Sequence, residues 1–348
     1  MPDVKRALVA ALLLTLAGAA PAPVMPHYDH IFVIVEENKK ADEIVGSEAA
    51  PNLTALAKTY GYASNFFAET HPSEPNYVAM VGGYTYGIQD DDAYYCHPND
   101  DRRSCSHSRE AGYADHTVDA PSLASQLEAK GLTWKNYDED LPAPGSLAVY
   151  AHLYASKHDG FINFKSVQND PELAQKMVGF DRFYADLASG AVPNFSFVVP
   201  NLCNEMHGTG NPLDGDGCLV AYKRGLIWRG DLNVEKLVDA IVASSVWKAP
   251  GNAAIVVTFD EDDGDGTQGC CGNDPSDRAN VGGGHIATVV ITNHGPRGVV
   301  DATPYNHYSL LRTIQDAFGL RPYLARAGAP GVASMVPLFA VPAKPSRP

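Results

Sequence analysis

Short apolar runs alternate with amphipathic segments along most of the chain. Runs rich in β-branched residues predict buried parallel strands at 31–35, 195–199, 254–259 and 287–291, with a weaker candidate at 133–137. Helical spacing of apolar residues predicts helices at 52–60, 122–130, 233–247 and 308–318. Strands that alternate with helices are typical of an α/β fold, in which helices cover both faces of a mostly parallel sheet.

Three polar stretches rich in Gly, Asp and Asn predict long loops at about 84–118, 201–231 and 262–284. These stretches hold all six cysteines, and pairing within each loop would join Cys96 to Cys105, Cys203 to Cys218 and Cys270 to Cys271. A crossed arrangement, in which the two adjacent cysteines reach different loops, competes with this local pairing. Neither an internal repeat nor a linker is evident, so residues 20–348 are predicted to form one domain.

The amino terminus has the order of a secretion signal. Lys5 and Arg6 precede an apolar run at 7–16, and small residues follow at 17–19. A signal peptide is therefore predicted at 1–19, and the protein is expected to be secreted or periplasmic, which agrees with its cysteine content. No later run reaches 18 apolar residues, so stable membrane insertion is not expected.

The overall charge excludes some classes of partner. The chain has 26 Lys and Arg against 41 Asp and Glu, for a net charge of −15. A nucleic-acid partner would require basic stripes, so none is expected. The same acid excess disfavours docking on anionic lipid. With 45% hydrophobic residues the composition is that of an ordinary globular protein.

Polar side chains follow several of the predicted strands at the point where each strand ends. Glu37 and Asn38 come after the first strand, and Asp260 and Glu261 come after the strand at 254–259. Because ligands of open α/β sheets bind at the carboxyl ends of the strands, these side chains are expected to lie close together. Converging carboxylates repel one another and favour a bound cation.

Ser73 lies at the predicted start of another helix. Pro75 suits the first helical turn, and an apolar run at 77–81 ends in Gly82 and Gly83. A helix amino terminus offers free N–H groups to an anion, so Ser73 lies at a candidate site for an anionic ligand. The alternative is that Ser73 only caps the helix.

Together these segments resemble a known family. The segments that carry the resemblance are 33–38, 69–77, 139–142, 157–158, 199–201, 258–262 and 306–308. In this order they resemble the acid phosphatase/phospholipase C family of bacterial secreted phosphoesterases, which is part of the alkaline phosphatase superfamily. Within that family they are most similar to the mycobacterial-type secreted acid phosphatases. The resemblance spans residues 28 to 325 and implies an alkaline phosphatase-like sheet with long disulfide-bearing loops.

The resemblance also implies roles for particular residues. Ser73 would be the nucleophile that forms a phosphoserine intermediate. One cation would be held by Glu37, Asn38, Ser73, Asp260 and Glu261. Asn76 would donate to a phosphoryl oxygen, and His207 and His307 would hold the phosphate or protonate the leaving alcohol. Further contacts to the phosphate are expected from His71, Lys157 and His158.

The donor set and the histidines lead to a specific functional prediction. Oxygen donors suit one Ca²⁺ or Mg²⁺ better than a pair of zinc ions. Histidines become cationic below about pH 6.5, which favours turnover in acid. The sequence therefore predicts a secreted acid phosphatase acting on small-molecule or lipid-headgroup phosphate monoesters. The alternatives are a phospholipase C or phosphodiesterase on the same scaffold, and a calcium-stabilised binding protein without catalysis.

Overall fold

The structure of the protein is a computed structural model that describes residues 24–264, 266–274 and 276–340. The predicted signal peptide at 1–19 lies outside the described residues. The strands are β1 His30–Glu36, β2 Gly61–Phe67, β3 Trp134–Asp138, β4 Tyr150–Ala151, β5 Tyr154–Ala155, β6 Met177–Val178, β7 Phe195–Val199, β8 Ala253–Phe259, β9 His285–Thr292, β10 Val299–Asp301 and β11 Tyr305–Asn306. The helices are α1 Ala41–Ile44, α2 Pro51–Thr59, α3 Ser73–Gly82, α4 Leu123–Lys130, α5 Lys165–Gln168, α6 Pro171–Ala174, α7 Phe180–Ser189, α8 Lys223–Ala243, α9 Ser245–Lys248, α10 His307–Phe318 and α11 Val336–Phe339.

One large sheet organises the molecule. Its strand order is β10-β2-β9-β8-β1-β7-β3-β6, and β11 also pairs with β2. At the centre, β1 pairs in parallel with both β7 and β8, and nearly every residue of β1 and β8 is buried. Burial on both faces explains why these strands read as unbroken apolar runs in the sequence.

The strand at 287–291 is present as β9, but the expectation that it runs parallel is wrong. It pairs antiparallel with both β8 and β2. The chain returns from β8 through the loop at 260–284 without a crossover helix, so β9 runs in the opposite direction. The sequence did not predict β2, because its small and polar residues alternate in burial instead of forming an apolar run.

The helical predictions hold at 52–60, 122–130 and 308–318 to within one residue at either end. In α4, the Ser122 hydroxyl accepts the N–H of Ser125, and Gly131 ends the helix in the left-handed conformation. The helix predicted at 233–247 instead begins ten residues earlier and ends at Ala243, where Ser244 caps a separate short helix. The loop predicted at 201–231 is shortened accordingly.

All three disulfides follow the local pairing, so the crossed arrangement is wrong. The bridges of Cys96 with Cys105 and of Cys203 with Cys218 each close part of a long loop, whereas the third joins two adjacent residues. Among the described residues, no helix has both the length and the apolar character needed to cross a bilayer.

Candidate active site

Ser73 is the first residue of α3. Pro72 occupies the capping position, and the Glu74 N–H in the first turn donates to Asp91 Oδ1 at 3.1 Å, so the Ser73 hydroxyl is not the cap of this helix. The side chain is only 2% exposed. Its Oγ donates to Glu37 Oε2 at 3.1 Å and lies 3.4 Å from Glu261 Oε1. The hydroxyl is therefore held between two carboxylates that follow different strands.

The residues expected to bind a cation converge around this hydroxyl. Glu36 pairs in register with Phe259, which brings Glu37 and Asp260 to the same level of the sheet. The Asp260 carboxyl interacts with both Glu37 and Ser73. Asn38 donates its backbone N–H to Asp260 at 3.0 Å and its amide to Glu37 at 2.8 Å.

Two further buried carboxylates were missed as site residues. Glu36 faces α8, where the Cβ of any residue replacing Gly230 would lie 3.1 Å from Glu36 Oε2. Glu205 Oε1 lies 2.9 Å from His158 Nδ1, and His158 Nε2 lies 3.3 Å from Glu37 Oε1. The sequence signal for Glu205 was its place shortly after β7, but the resemblance assigned it no role.

These buried carboxylates contain oxygens with no hydrogen-bond partner within the described part of the chain. The unpartnered atoms are both oxygens of Glu36 and Glu205, Glu37 Oε1 and Asp260 Oδ2. Burial first, and then repulsion from neighbouring carboxylates, raise the pKa of Glu36, Glu37 and Glu205 well above the ordinary range. Unpaired buried charge is strongly unfavourable, so the centre fits a bound divalent cation.

Two basic side chains lie near the carboxylates that hold Ser73, His71 beside Glu261 and Lys157 near Glu37. Lys157 Nζ lies 2.8 Å from Asp91 and 3.4 Å from His207 Nε2. His71 Nδ1 lies 2.6 Å from Glu261 Oε2, and its Nε2 lies 2.8 Å from the Gly266 carbonyl. Burial opposes the charged imidazole of His71, but Glu261 outweighs it and raises the pKa to about 9. The contact with Glu261 therefore favours the cationic form of His71.

The other two histidines near the nucleophile behave in the opposite way. Burial and the charge of Lys157 lower the pKa of His207 to about 4 and lower that of His158 well below the ordinary value. A lowered pKa opposes the expectation that His207 becomes cationic near pH 6.5, and its role as an acid stays a prediction. As neutral imidazoles, His158 and His207 offer ligand atoms within 4.8 Å of each other and of Glu37, which adds nitrogen donors to the expected oxygen set.

His307 does not have the access that an acid for the leaving alcohol requires. It is fully buried, and its Nδ1 and backbone N–H both meet the Glu69 carboxylate. Its Nε2 lies 2.9 Å from the Phe259 carbonyl. Both ring nitrogens are engaged inside the protein, so a contact with the substrate would have to displace one of these partners, and the catalytic role of His307 stays a prediction.

Asn76 is committed to the turn that precedes Ser73. Its amide oxygen accepts the backbone N–H groups of Glu69 and Thr70, and its amide nitrogen donates to the carbonyls of Thr70 and Pro72. The remaining contact, to Glu261, is 3.5 Å long. In this arrangement Asn76 holds the turn in place, so the expected donation to a phosphoryl oxygen is not supported.

Two other clusters of possible metal ligands lie in the loop at 84–118. In one, Asp100 lies beside Cys96 and Cys105, whose sulfurs are already joined in a disulfide. In the other, Asp90 and His107 lie beside Asp92, whose oxygens accept from Ser106, His107 and Tyr113. Both clusters have a structural explanation.

A cleft of about 370 Å³ opens beside the nucleophile, with Pro72 and Asp91 in its wall. The loop that forms this cleft is tied to α3 through a buried contact between His116 and Glu74, 3.0 Å long. Glu74, which lies in the segment 69–77 that carries part of the family resemblance, therefore has a structural role. Gly160 allows the segment with Lys157 to approach α3, because an added Cβ would lie 2.3 Å from the Tyr77 carbonyl.

Comparison with known proteins identifies the family. The profile of the Phosphoesterase family matches residues 47–321. The chain belongs to this family. It is 30% identical over 318 residues to the phosphatidylinositol-3-phosphatase of Mycobacterium tuberculosis, covering 90% of this chain and 86% of that protein. This match confirms the resemblance to mycobacterial-type phosphatases.

Other relatives match over a smaller share of their own length. The acid phosphatase of Aspergillus fumigatus is 26% identical, over 86% of this chain and 56% of that protein. The hemolytic phospholipase C of Pseudomonas aeruginosa is 24% identical, over 60% of this chain and 31% of that protein. These phosphoesterase relatives and the family match make the protein a phosphoric ester hydrolase.

Solved structures confirm the predicted fold class. A phosphonate monoester hydrolase of Agrobacterium radiobacter aligns with a TM-score of 0.52 at 14% identity, over 89% of this chain and 77% of that chain. A protein of the alkaline phosphatase superfamily from Vibrio parahaemolyticus aligns with a TM-score of 0.51 at 13% identity, over 90% and 71%. The fold is that of the alkaline phosphatase superfamily.

Proposed function

We propose that this phosphoesterase is a secreted acid phosphatase that hydrolyses phosphate monoesters through a phosphoserine intermediate on Ser73. The observation that carries the proposal is the buried Ser73 hydroxyl, which caps no helix and is held by Glu37 and Glu261. A serine in this position needs a nearby acceptor for its proton to become a nucleophile. Both carboxylates are within reach of that proton.

The chemistry follows from the groups around Ser73. Its Oγ attacks phosphorus, the bond from phosphorus to the leaving oxygen breaks, and water then cleaves the phosphoserine to release phosphate. Lys157 and His71 supply positive charge on either side of the nucleophile, where the phosphoryl oxygens gain negative charge. These two cations favour a monoester, which carries more negative charge than a diester.

We also propose one divalent cation, Ca²⁺ or Mg²⁺, held by Glu37, Asn38, Asp260 and Glu261 with Ser73. The unpartnered oxygens of Glu37 and Asp260 support this assignment. When bound, such an ion would lower the pKa of the serine hydroxyl and neutralise charge on the phosphoryl group. The group of Glu37, His158 and His207 is a competing place that would suit a softer ion. Two zinc ions per active chain in a metal analysis would contradict the single hard cation.

The test compares Ser73→Ala with Ser122→Ala. Ser122 is also a buried serine, but its hydroxyl caps α4. Hydrolysis of an aryl phosphate monoester should fall by at least about 10³-fold in Ser73→Ala. The Ser122 variant should keep its activity and lose about 1 kcal/mol of stability. Rapid acid quenching of the wild type should trap phosphate on Ser73.

Two outcomes would redirect the proposal. Retention of more than a few per cent of activity in Ser73→Ala, or trapped phosphate on another residue, would exclude Ser73 as the nucleophile. Faster hydrolysis of an aryl phosphate diester than of the monoester would favour the phospholipase C alternative. Export through residues 1–19 remains a prediction, which an amino-terminal sequence beginning at Ala20 in the exported protein would support.

A further inference from the structure

Large apolar side chains are unusually exposed in one short stretch of the chain. Of the ten large hydrophobic residues that are exposed within the described part of the chain, five lie between residues 213 and 232. These five are Leu213, Val220, Tyr222, Trp228 and Leu232. Three of them, Tyr222, Trp228 and Leu232, line a groove of about 500 Å³ at the start of α8. Exposed apolar surface concentrated in this way is typical of an interaction site.

The core of the protein does not account for this surface. The buried face of α8 already contains a complete apolar stripe, which includes Leu226, Val234 and Ile241. Trp228 and Leu232, four residues apart, form a second apolar face on the solvent side of the same helix. The groove is kept open by Gly225, where an added Cβ would lie 2.3 Å from the Tyr222 ring.

The charge of the groove differs from that of the rest of the molecule. Arg224 and Arg229 line it together with apolar residues, and its lining contains no carboxylate among the described residues. By contrast, the cleft beside the nucleophile is lined by Asp90, Asp91 and Glu110. Because charges are screened beyond about 8 Å at physiological salt, the local arginines matter more at this surface than the net charge of −15.

The arginines are not locked into strong pairs. Arg224 meets Glu48 at 3.3 Å, but the two side chains are 69% and 88% exposed, so this pair contributes little and exchanges readily. Arg229 donates to the Asn204 side chain at 2.8 Å. Arginine beside Trp and Tyr suits the layer of a bilayer where lipid phosphates meet apolar chains.

The groove also lies beside the catalytic centre. Asn204, the partner of Arg229, directly precedes the site residue Glu205. At the first turn of α8, Lys223 Nζ donates to Asp263, two residues after Glu261, at 2.7 Å. The disulfide between Cys203 and Cys218 fixes the loop that joins these two places. A surface that docks here would therefore be held next to the nucleophile.

We propose that this groove docks the enzyme on the surface of a phospholipid bilayer. Tyr222, Trp228 and Leu232 enter the interfacial layer, while Arg224 and Arg229 bind lipid phosphates. Docking next to the site would make lipid-headgroup phosphate monoesters the favoured substrates. This consequence rests on the proposed function and makes it more specific. The acid excess of the whole chain, which disfavours anionic lipid in general, makes the local arginines necessary for docking.

The experiment measures co-sedimentation of the full chain with vesicles of phosphatidylcholine that contain a minor fraction of phosphatidylglycerol. The wild type should bind, and added salt should weaken binding. Arg224→Glu with Arg229→Glu, and separately Trp228→Ala with Leu232→Ala, should reduce binding by at least about tenfold. Val300→Ser is the control, because Val300 is an apolar residue on the edge strand β10 that is more exposed than Trp228 or Leu232, and its substitution should leave binding unchanged.

Hydrolysis of a soluble aryl phosphate separates this proposal from the proposed function. All of these variants should hydrolyse it at the wild-type rate, since no substituted residue lies in the catalytic centre. Failure of the wild type to bind vesicles, or equal binding by all variants, would overturn the docking surface whatever the enzyme activity. A change of oligomeric state in Trp228→Ala, with no vesicle binding by the wild type, would instead assign the groove to contact between two copies. If the double variants fail to fold, Arg224→Glu alone decides, because that side chain is mostly exposed.

Discussion

Two buried pairs of glutamate and histidine, Glu69 with His307 and Glu205 with His158, lie near the catalytic edge of the sheet and differ in how completely their polar atoms are hydrogen-bonded. In the pair of Glu69 with His307, both carboxylate oxygens and both ring nitrogens have partners. In the pair of Glu205 with His158, Oε1 lies 2.9 Å from Nδ1, but both carboxylate oxygens and His158 Nε2 lack a hydrogen bond of good geometry within the described residues. All four side chains are almost completely buried. Burial alone therefore does not distinguish a functional group from a structural one, whereas missing partners do.

The electrostatics agree with this distinction. Burial disfavours the charged imidazole of His307, but Glu69 outweighs it and raises the pKa. For His158, burial acts together with Lys157 and His207, and the pKa is lowered. The first pair is a complete ion pair that links the end of β2 to the start of α10. The second has unused capacity to bind a cation or a ligand, which is the property that an active site requires.

The largest expected effect would come from neutralising one of the carboxylates around Ser73 whose oxygens lack hydrogen-bond partners. Glu37→Gln and Asp260→Asn should each lower kcat/KM by about 10³-fold, and the metal content should fall with the activity. The free energy of unfolding of the metal-free protein should stay the same or rise, because each change removes charge repulsion. The measurements are aryl phosphate hydrolysis, metal analysis and urea unfolding with a chelator present.

Asp231→Asn is the matched control for this experiment. Asp231 is a buried carboxylate whose oxygens accept the backbone N–H groups of Asn52 and Leu53. Its variant should lose stability and keep its metal and activity. Normal activity in Asp260→Asn, or lost activity in Asp231→Asn, would contradict the view that buried carboxylates without hydrogen-bond partners are functional and fully bonded ones are structural.

Breaking the complete pair should have the reverse effect. Glu69→Ala leaves His307 buried without its counter-ion and should lower the free energy of unfolding by about 3–5 kcal/mol. The variant that remains folded at low temperature should keep kcat/KM within about tenfold of the wild type. A variant with wild-type stability and no activity would restore His307 to the catalytic role expected from the sequence. Thermal unfolding and aryl phosphate hydrolysis on the same sample decide between these outcomes.

These two regions also explain what could be predicted from the sequence. Glu37, Asp260 and Glu261 could be found because the carboxyl ends of parallel strands share one edge, so a place in the chain implies a place in space. Ser73 could be found because Pro75 indicates the start of a helix. Each of these inferences depends on local pattern and on one rule of sheet topology.

The role of His307 could not be found in this way. Its partner Glu69 lies 238 residues away, and no local pattern indicates which distant carboxylate completes a histidine. The contact between Glu205 and His158 similarly joins two loops that only the folded chain brings together. The antiparallel direction of β9 depended on the connection from β8, which resembles any other polar loop in the sequence.

Glu205 provides an intermediate test, because it contacts His158 and not Ser73. By facing His158 Nδ1, it directs Nε2 towards Glu37. Glu205→Gln should lower metal affinity or kcat by about 10–100-fold, as for other residues that orient a ligand, and leave KM nearly unchanged. Glu205→Asp should recover part of the loss. Unchanged metal affinity and an unchanged pH profile in Glu205→Gln would show that the carboxylate has no positioning role.

The smallest expected effect is a dependence of stability on pH in metal-free protein. Burial, together with the charge of Asp260, raises the pKa of Glu261 from 4.5 to about 8, and Glu261 in turn raises the pKa of His71 from 6.5 to about 9. The folded state therefore holds protons to higher pH than the unfolded chain does. Their stabilising contribution is complete below about pH 4.5 and is lost as the pH rises through the folded values, so stability should fall across this range.

The melting temperature measured with a chelator should accordingly be lower at pH 8 than at pH 5. Saturating Ca²⁺ or Mg²⁺ should raise it more at pH 8, because a cation competes with protons for the same oxygens. Glu261→Gln removes one of the two titrating groups and should flatten the profile, whereas Asp231→Asn should leave most of the slope in place. A melting temperature that rises from pH 5 to pH 8 in the chelator would mean that these carboxylates are already balanced by charges within the protein. The contrast with the pair of Glu69 and His307 would then disappear.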